Sequence, residues 1–286
     1  MMQIVTTISD LKKQLSLAHI NAYRVGFVPT MGALHQGHLS LVSRCVSEND
    51  YTVVSIFVNP TQFNDANDLA NYPRDLERDL SLLASLHVDL VFAPSVSEVY
   101  PSPDTRTFSY PPIDTVMEGA KRPGHFNGVC QIVSKLFQWV SPTNAYFGEK
   151  DFQQIAVVRA MTNDLNLNVK IHSCPIVRED SGLAMSSRNS LLNNHERRVA
   201  AMIYATLQQS LSLSNCKSIS EVHGFVVQAL NEINELNVEY FEIVDGYTLQ
   251  PVLSWEDSEY IVGCITVFCG TRPVRLIDNV TYRYNK

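Results

Sequence analysis

The sequence lacks an excess of positive charge, and it lacks an apolar run long enough to span a bilayer. Its 22 Lys and Arg residues are outnumbered by 29 Asp and Glu residues, so the formal net charge is −7 at pH 7. Such an acidic chain is a poor electrostatic partner for nucleic acid or for an anionic membrane. We therefore expect neither as a partner. Any bound phosphate must be met by a local cluster of positive groups and N–H donors.

The six cysteines form no CxxC pair, which excludes the usual spacing of a redox motif or a zinc site. Their dispersion indicates free thiols in a reducing compartment. The amino terminus lacks the basic segment and long apolar run of a signal peptide. The longest apolar stretch, residues 260–268, suits a buried strand. Together these features predict a cytoplasmic protein.

Short apolar segments alternate with segments of helical spacing in the first part of the chain. The predicted strands cover residues 24–28, 52–58, 89–93, 145–147 and 169–174, and the predicted helices cover residues 39–48, 76–86 and 152–165. This alternation predicts an α/β fold, with a parallel sheet and helices on both faces. In such sheets, ligands bind at the carboxyl ends of the strands.

The order of elements changes near residue 178. Two predicted helices, at 194–213 and 219–236, are followed by predicted strands at 238–244, 260–268 and 274–276. Helices followed by strands indicate a smaller α+β domain. We therefore expect one domain over residues 1–178 and a second over residues 179–286.

Two histidines follow the first of these strands, in the segment PTMGALHQGH at residues 29–38. The pattern predicts a strand that ends at Pro29 and a helix that begins near Gly37. His35 and His38 would then stand at a helix N-terminus, where unpaired N–H groups and the helix dipole favour anions. A phosphate site is one interpretation of the pair. A metal site and a purely structural pair are the alternatives that the residues leave open.

A second polar segment, GLAMSSRN at residues 182–189, offers two hydroxyl groups and a guanidinium in succession. Ser186, Ser187 and Arg188 suit phosphate oxygens, because Arg supplies forked donors and Ser supplies short ones. On its own, this segment is more typical of a helix cap or a Ser-rich turn. Beside the histidine motif, it favours phosphate binding.

Two further segments follow predicted strands. In FGEKDFQQ, at residues 147–154, Lys150 could neutralise a phosphate and Gly148 could admit a ribose, although an exposed helix start is the simpler interpretation. In FVNPTQF, at residues 57–63, Asn59 and Gln62 could orient a carboxylate and hydroxyl groups without adding charge. A capping turn is the alternative there.

A fifth segment, EGAKRPGHF at residues 118–126, combines Glu118, Arg122 and His125 in one predicted loop. A carboxylate, cations and an imidazole suit either a lid or a contact between subunits. The sequence does not decide between these two roles.

These five segments together resemble the pantoate–β-alanine ligase (AMP-forming) family, also called the pantothenate synthetases, within the nucleotidyltransferase superfamily that carries the HxGH motif. The resemblance runs from Val28 to about Ser190, and it resumes at YFEIVD (residues 240–245) and RLIDN (residues 275–279). It implies a Rossmann-like first domain, a small C-terminal lid domain and a homodimer.

The resemblance also implies a reaction. (R)-Pantoate and β-alanine would be joined to give pantothenate, with ATP and Mg²⁺, through a pantoyl-adenylate intermediate and with release of AMP and pyrophosphate. No metal-ligating side chain is assigned. The alternative is another nucleotidyltransferase of the same superfamily, which would pass the nucleotide to a phosphorylated acceptor.

Site residues are carried over from the family's motifs. The implied catalytic residues are His35, His38, Lys150, Ser186, Ser187 and Arg188. The implied ATP-binding residues are Pro29, Thr30, Met31, Gly37, His38, Gly148, Glu149, Lys150, Asp151, Val177, Met185, Ser186, Ser187 and Arg188. The implied pantoate-binding residues are Met31, Asn59, Gln62 and Gln154.

Overall fold

The computed structural model describes residues 2–285. Its first sheet consists of six strands: β1 (Gln3–Val5), β2 (Val25–Thr30), β3 (Tyr51–Ile56), β4 (Leu90–Phe92), β5 (Asn144–Gly148) and β6 (Lys170–Cys174). Their order is β1-β4-β3-β2-β5-β6, and every pairing between them is parallel. The carboxyl ends of β2, β3 and β5 therefore meet at one edge of the sheet.

Helices connect and cover these strands. In chain order they are α1 (Ile8–Ile20), α2 (Gln36–Glu48), α3 (Ala66–Asn71), α4 (Leu76–Ser85), α5 (Val96–Val99), α6 (Met117–Lys121), α7 (His125–Val140) and α8 (Phe152–Asp164). The second part of the chain adds α9 (Asn194–Ala200), α10 (Met202–Leu213), α11 (Ile219–Asn231) and the strands β7 (Leu236–Asp245), β8 (Tyr260–Cys269) and β9 (Val274–Tyr284).

The period-two alternation of the strands fills both faces of the first sheet with apolar side chains. Phe27 and Val53 belong to a core that includes residues of α1 and α7. Their neighbours Val28 and Val54 belong to a second core that includes residues of α2 and α4. The prediction of a parallel α/β sheet with helices on both faces is therefore confirmed.

The second sheet is antiparallel, in the order β7-β8-β9. Leu207 of α10 and Val226 of α11 share a core with Phe241 and Ile265 of this sheet. This confirms the predicted smaller α+β region. Within residues 2–285, no helix is both long and apolar enough to cross a membrane.

Some predicted elements were wrong in extent. The single helix predicted at 194–213 is divided at Ala201, between α9 and α10. The helix predicted at 219–236 ends at Asn231, and the last strand continues to Tyr284 instead of stopping at Leu276. The polar residues after Leu276 hid the strand's true length, because they break the apolar pattern. Helices α1 and α7 were not predicted.

Contacts divide the chain into two compact units. Unit 1 comprises residues 1–110, 119–149 and 154–175, and unit 2 comprises residues 111–118, 150–153 and 176–286. A functional boundary at residue 178 stays a prediction. The candidate site residues belong to both units, and each group is described below within its own unit.

Candidate active site

The loop that precedes the two histidines is shaped by backbone geometry. At the end of β2, the Thr30 hydroxyl donates to the Ser55 carbonyl (2.7 Å) and accepts from the Gly32 N–H (3.2 Å). Gly32 and Ala33 then adopt positive φ angles of 81° and 50°. This left-handed backbone reverses the chain direction sharply. Helix α2 starts at Gln36, one residue before the predicted start.

Asp79, on α4, holds this loop in place. Its two carboxylate oxygens accept the backbone N–H groups of Ala33 and Leu34, both at 2.8 Å. The side chain is buried, with 1% of its surface exposed. Burial raises the pKa of Asp79, while the two N–H donors act in the opposite direction. Asp79 did not stand out in the sequence. The sequence pattern that could have indicated it is the spacing of Asp79 four residues before Leu83, which places the carboxylate on the buried side of α4.

His35 and His38 cap α2 with their imidazole rings. Nδ1 of His35 accepts the Gly37 N–H (3.1 Å), and Nδ1 of His38 accepts the His35 N–H (3.4 Å). The ring centroids lie 4.1 Å apart. Because each Nδ1 is an acceptor, each neutral ring carries its proton on Nε2, which is then a donor.

This tautomer bears on the alternatives left open by the sequence. A donor on Nε2 matches a phosphate oxygen, whereas a metal ion would need a lone pair on that nitrogen. The helix N-terminus adds its own preference for an anion. The geometry therefore favours the phosphate interpretation of His35 and His38 over the metal interpretation.

Three of the four residues predicted to bind pantoate lie together in unit 1. The Asn59 side chain donates to Oε1 of Gln62 (3.1 Å), and Nε2 of Gln62 contacts the Met31 sulfur at 3.2 Å. In the part of the chain that the structure describes, no hydrogen bond connects Gln154 to these three residues. Gln154 belongs to unit 1 and is part of α8.

Asn59 has every polar position of its amide occupied. It donates to Gln62 and to the Gly128 carbonyl (3.0 Å), and its Oδ1 accepts from the hydroxyls of Tyr100 (2.8 Å) and Thr61 (3.2 Å). An amide offers two donors and two acceptor positions, so none is left for a ligand. Asn59 therefore orients Gln62, and its contact with pantoate stays a prediction.

Further residues support this cluster: Gly128 did not stand out in the sequence, and the roles of His125 and Arg122 were left open. A Cβ atom at Gly128 would lie 2.3 Å from the Thr61 carbonyl oxygen, so only glycine allows α7 to approach here. The His125 ring donates to the Gln62 carbonyl (2.9 Å), and its other nitrogen contacts Arg122 at 3.2 Å. His125 and Arg122 therefore buttress the amide cluster from within unit 1.

Glu118 belongs to a different environment, in unit 2. Its carboxylate accepts from Arg275 (2.7 Å to each oxygen), from the Tyr240 hydroxyl (2.8 Å) and from the Thr266 hydroxyl (2.9 Å). Burial alone would raise the pKa of Glu118, but Arg275 and the hydroxyls of Tyr240 and Thr266 together outweigh it and lower the pKa to about 2. Glu118 thus fastens residues 111–118 to the second sheet.

The Met-Ser-Ser-Arg loop lies in unit 2 after a short β-bridge between Arg178 and Ala184. The Met185 N–H donates to the Val177 carbonyl (3.0 Å), which places these two predicted adenine-side residues together. The Ser186 hydroxyl accepts the Arg188 N–H (3.2 Å) and begins a 3-10 turn. Ser186 therefore caps this turn, which is the alternative role that the sequence left open for the segment.

Lys150 lies in a 3-10 turn, Glu149–Asp151, directly after β5. Its ammonium is 3.7 Å from the Asp151 carboxylate, and its side chain is 18% exposed. A Cβ atom at Gly148 would meet nothing within 4 Å. The backbone of Gly148 is therefore open to a ligand.

A cavity of about 430 Å³ opens at the ends of β2, β3 and β4 within unit 1. Met31, Gly32 and Asp79 line it. The other three residues predicted to bind pantoate do not, so the cavity and the amide cluster meet at Met31.

A parallel sheet with donor imidazoles at the helix N-terminus that follows one of its central strands is typical of α/β enzymes of the nucleotidyltransferase type. Residues 3–281 match the family model described as pantoate-beta-alanine ligase. The chain therefore belongs to the pantoate–β-alanine ligase family.

Individual relatives agree with this assignment. The pantothenate synthetase of Bacteroides thetaiotaomicron is 58% identical over 282 residues, which is 99% of each chain. Among solved structures, pantothenate synthetase from Thermus thermophilus matches with a TM-score of 0.92 and 42% identity, covering 99% of this chain and 100% of that one. A pantoate-beta-alanine ligase from Francisella tularensis, complexed with beta-gamma ATP and beta-alanine, matches with a TM-score of 0.84 and 37% identity, covering 99% of this chain and 98% of that one.

Proposed function

We propose that this protein condenses (R)-pantoate with β-alanine to form pantothenate, with conversion of ATP to AMP and pyrophosphate. The observation that carries the proposal is the pair His35 and His38, in a chain of this family. Their Nδ1 atoms accept backbone N–H groups, so both rings present Nε2 donors at the start of α2.

The first chemical step brings anions together, because the pantoate carboxylate attacks the α-phosphate of ATP and pyrophosphate leaves. Donors placed where negative charge builds up lower such a barrier. We assign this role to His35 and His38, and to the positive and hydroxyl groups of Lys150, Ser186, Ser187 and Arg188. A carboxylate is already ionised at neutral pH, so this step needs no general base. The β-alanine amine then attacks the acyl carbon, and AMP leaves.

The acceptor substrate is assigned to unit 1. Gln62 would hydrogen-bond pantoate, with Met31 beside it and Gln154 as a second amide. Asn59 would act through Gln62, because its own amide is fully used. Asn and Gln amides can orient a hydroxy acid without adding charge that would compete with the phosphates.

The nucleotide is assigned to three backbone-rich segments. These are Pro29, Thr30, Met31 and Gly37 beside the histidines; Gly148, Glu149 and Asp151 for the ribose; and Val177 and Met185 for the adenine. Gly148 supports its part of this assignment, since the space where its side chain would lie is open.

Three further points rest on the family resemblance. Mg²⁺ would enter with ATP, bound largely through phosphate oxygens and water, as Mg²⁺ usually is at such sites. The protein would act as a homodimer. The reaction would take place in the cytoplasm.

An isotope experiment tests the reaction directly. The purified protein is incubated with MgATP, β-alanine and pantoate labelled with ¹⁸O in its carboxylate. The adenylate route transfers one labelled oxygen to AMP, and pantothenate and AMP form in equal amounts. A nucleotidyltransferase acting on another acceptor would leave a stable nucleotidyl product instead. AMP formation that does not depend on pantoate, or AMP without label, would refute the proposed function.

A further inference from the structure

The segment RLIDN, residues 275–279 on β9, has no part in the function proposed above. Arg275 is engaged by Glu118 and Glu239. The next polar residues of the segment, Asp278 and Asn279, are both buried. Buried polar side chains reduce the stability of a protein unless they form hydrogen bonds or ion pairs. Their partners lead to the segments that carry the proposed phosphate contacts of unit 2.

Asp278 makes a two-pronged ion pair with Arg178. Its oxygens accept from Nη1 at 2.6 Å and from Nη2 at 2.9 Å. The same guanidinium lies 3.6 Å from the centroid of the Tyr204 ring and donates to the Gly182 carbonyl (3.2 Å). A bidentate ion pair, together with stacking on an aromatic ring, fixes both the position and the orientation of a guanidinium.

Arg178 is the first residue of the turn that leads into the Met-Ser-Ser-Arg loop. It pairs with Ala184 in a β-bridge. The turn between these two residues requires glycine at position 182. Gly182 has a φ of 89°, and a Cβ atom there would lie 2.7 Å from the Tyr204 ring. The turn therefore has one tight shape, which Arg178 and Asp278 hold against β9.

Asn279, the next residue of the same strand, holds the second segment. Its Nδ2 donates to the backbone carbonyl of Lys150 at 3.3 Å. Two consecutive residues of β9 are thus tied to the loop that carries Arg188 and to the turn that carries Lys150. These are the two cations that unit 2 contributes to the proposed phosphate contacts.

We propose that Asp278 and Asn279 are positioning residues that set the Arg188 loop and the Lys150 turn for adenylate formation. The proposal rests on the proposed function. Arg178, whose charge Asp278 neutralises, serves in this scheme as a structural link and not as a phosphate ligand.

The test compares the wild-type enzyme with Asn279→Ala, Asp278→Asn, Arg178→Gln and the double variant Arg178→Gln/Asp278→Asn. Thr281→Ala is the matched control, since Thr281 lies on the same strand and is exposed. The measurements are the single-turnover rate of pantoyl-adenylate formation, the KM values for ATP and pantoate, and the thermal unfolding midpoint.

Asn279→Ala should lower the single-turnover rate about tenfold, as a small misplacement of a charge-stabilising group does, while the KM for pantoate stays unchanged. Arg178→Gln, Asp278→Asn and their combination should show nearly equal losses, because the two residues act as one unit. The control should match the wild type in every measurement.

Each other result has a defined meaning. Variants that lose only thermal stability, with normal rates at a temperature where they are folded, overturn the positioning role. A larger loss of ATP affinity in Arg178→Gln than in Asp278→Asn would make Arg178 a direct ligand and also overturn it. If Asp278→Asn fails to fold, the neutral change Asn279→Ala decides alone. A wild-type protein that makes no pantothenate refutes the proposed function, and the inference with it.

Discussion

The two units hold their phosphate-binding candidates in different ways. In unit 1, the Asp79 carboxylate accepts two backbone N–H groups of the loop itself, from Ala33 and Leu34. In unit 2, the Asp278 carboxylate acts at a distance, through the guanidinium of Arg178. A buried aspartate shapes the loop in both cases, but only one of them touches the loop backbone directly.

The two loops differ in how many other contacts still hold them when one contact is lost. The unit 1 loop depends on Asp79 for two consecutive peptide groups with positive-φ geometry close by. The unit 2 loop keeps other ties, including the bridge between Arg178 and Ala184 and the two hydrogen bonds that Asn189 donates. Since an unpaired buried donor costs more than a lost contact with alternatives, the unit 1 loop should be the more sensitive of the two.

The largest effect is expected at the imidazoles of unit 1. His35→Ala or His38→Ala should lower the rate of adenylate formation about 10²–10³-fold, as loss of a preorganised donor to developing charge does. Single-turnover kinetics measures this. His19→Ala, an exposed histidine at the end of α1, is the control.

A conservative pair of variants separates capping from catalysis. Asparagine can accept a backbone N–H where Nδ1 does, but it has no group where Nε2 lies. His35→Asn and His38→Asn should therefore keep the stability of the wild type and be as slow as the alanine variants. Asparagine variants with a normal rate would show that the histidines only cap the helix.

A smaller effect is expected at Asp79. In Asp79→Asn, one amide oxygen can still accept an N–H, but the amide nitrogen faces the other N–H. The unfolding free energy should fall by about 1–3 kcal/mol, the cost of an unsatisfied buried group. Urea unfolding measures this. Asp75→Asn is the control on the same helix, since Asp75 caps α4 and asparagine caps equally well. Equal stability of the two variants would contradict the special role of Asp79.

The central strands of the first sheet could be predicted because β2 to β5 are short, apolar and largely buried on both faces, which makes them stand out from the intervening helices. The short edge strand β1 was not predicted. The end of β9 could not be predicted. Asp278 breaks the apolar pattern, and its partner Arg178 lies 100 residues earlier in the chain. Helix α7 was not predicted either. Its apolar residues recur at helical spacing, but buried polar residues such as Gln131 and Ser134 lie among them.

The residues of the candidate site also fall into two groups, those that the sequence could predict and those that it could not. Residues with a proposed chemical role, such as His35 and Gln62, could be singled out because they follow the ends of strands. The residues that orient them could not. Asn59 is held by Tyr100 and by Gly128, which lie 41 and 69 residues away in sequence. Such contacts are dictated by the fold as a whole, and local patterns contain no sign of them.

The smallest expected effect concerns pH, where the pKa shifts of two buried carboxylates, Asp79 of unit 1 and Glu118 of unit 2, have opposite signs. Burial raises the pKa of Asp79 in unit 1, so its contribution to stability declines as pH rises through the raised value. In unit 2, Arg275 and two hydroxyl donors together outweigh burial and lower the pKa of Glu118 from 4.5 to about 2. The contribution of Glu118 to stability is therefore present above pH 4.5 and declines as pH falls. Going from pH 7 to pH 4 should lower the unfolding free energy of the wild type by about 1 kcal/mol through Glu118, because this carboxylate becomes protonated in the unfolded chain first.

Glu118→Gln removes this titration, so its urea midpoint should fall less steeply between pH 7 and pH 4 than that of the wild type. Glu259→Gln, an exposed glutamate of the same unit, serves as the control and should keep the wild-type slope. An equal slope in all three proteins would mean that Glu118 and Arg275 do not form a strong pair in solution. A steeper pH dependence of the urea midpoint in Glu118→Gln would mean that another carboxylate is responsible for the loss of stability at low pH. The contrast between the two units would then rest only on the hydrogen bonds of Asp79 and Asp278.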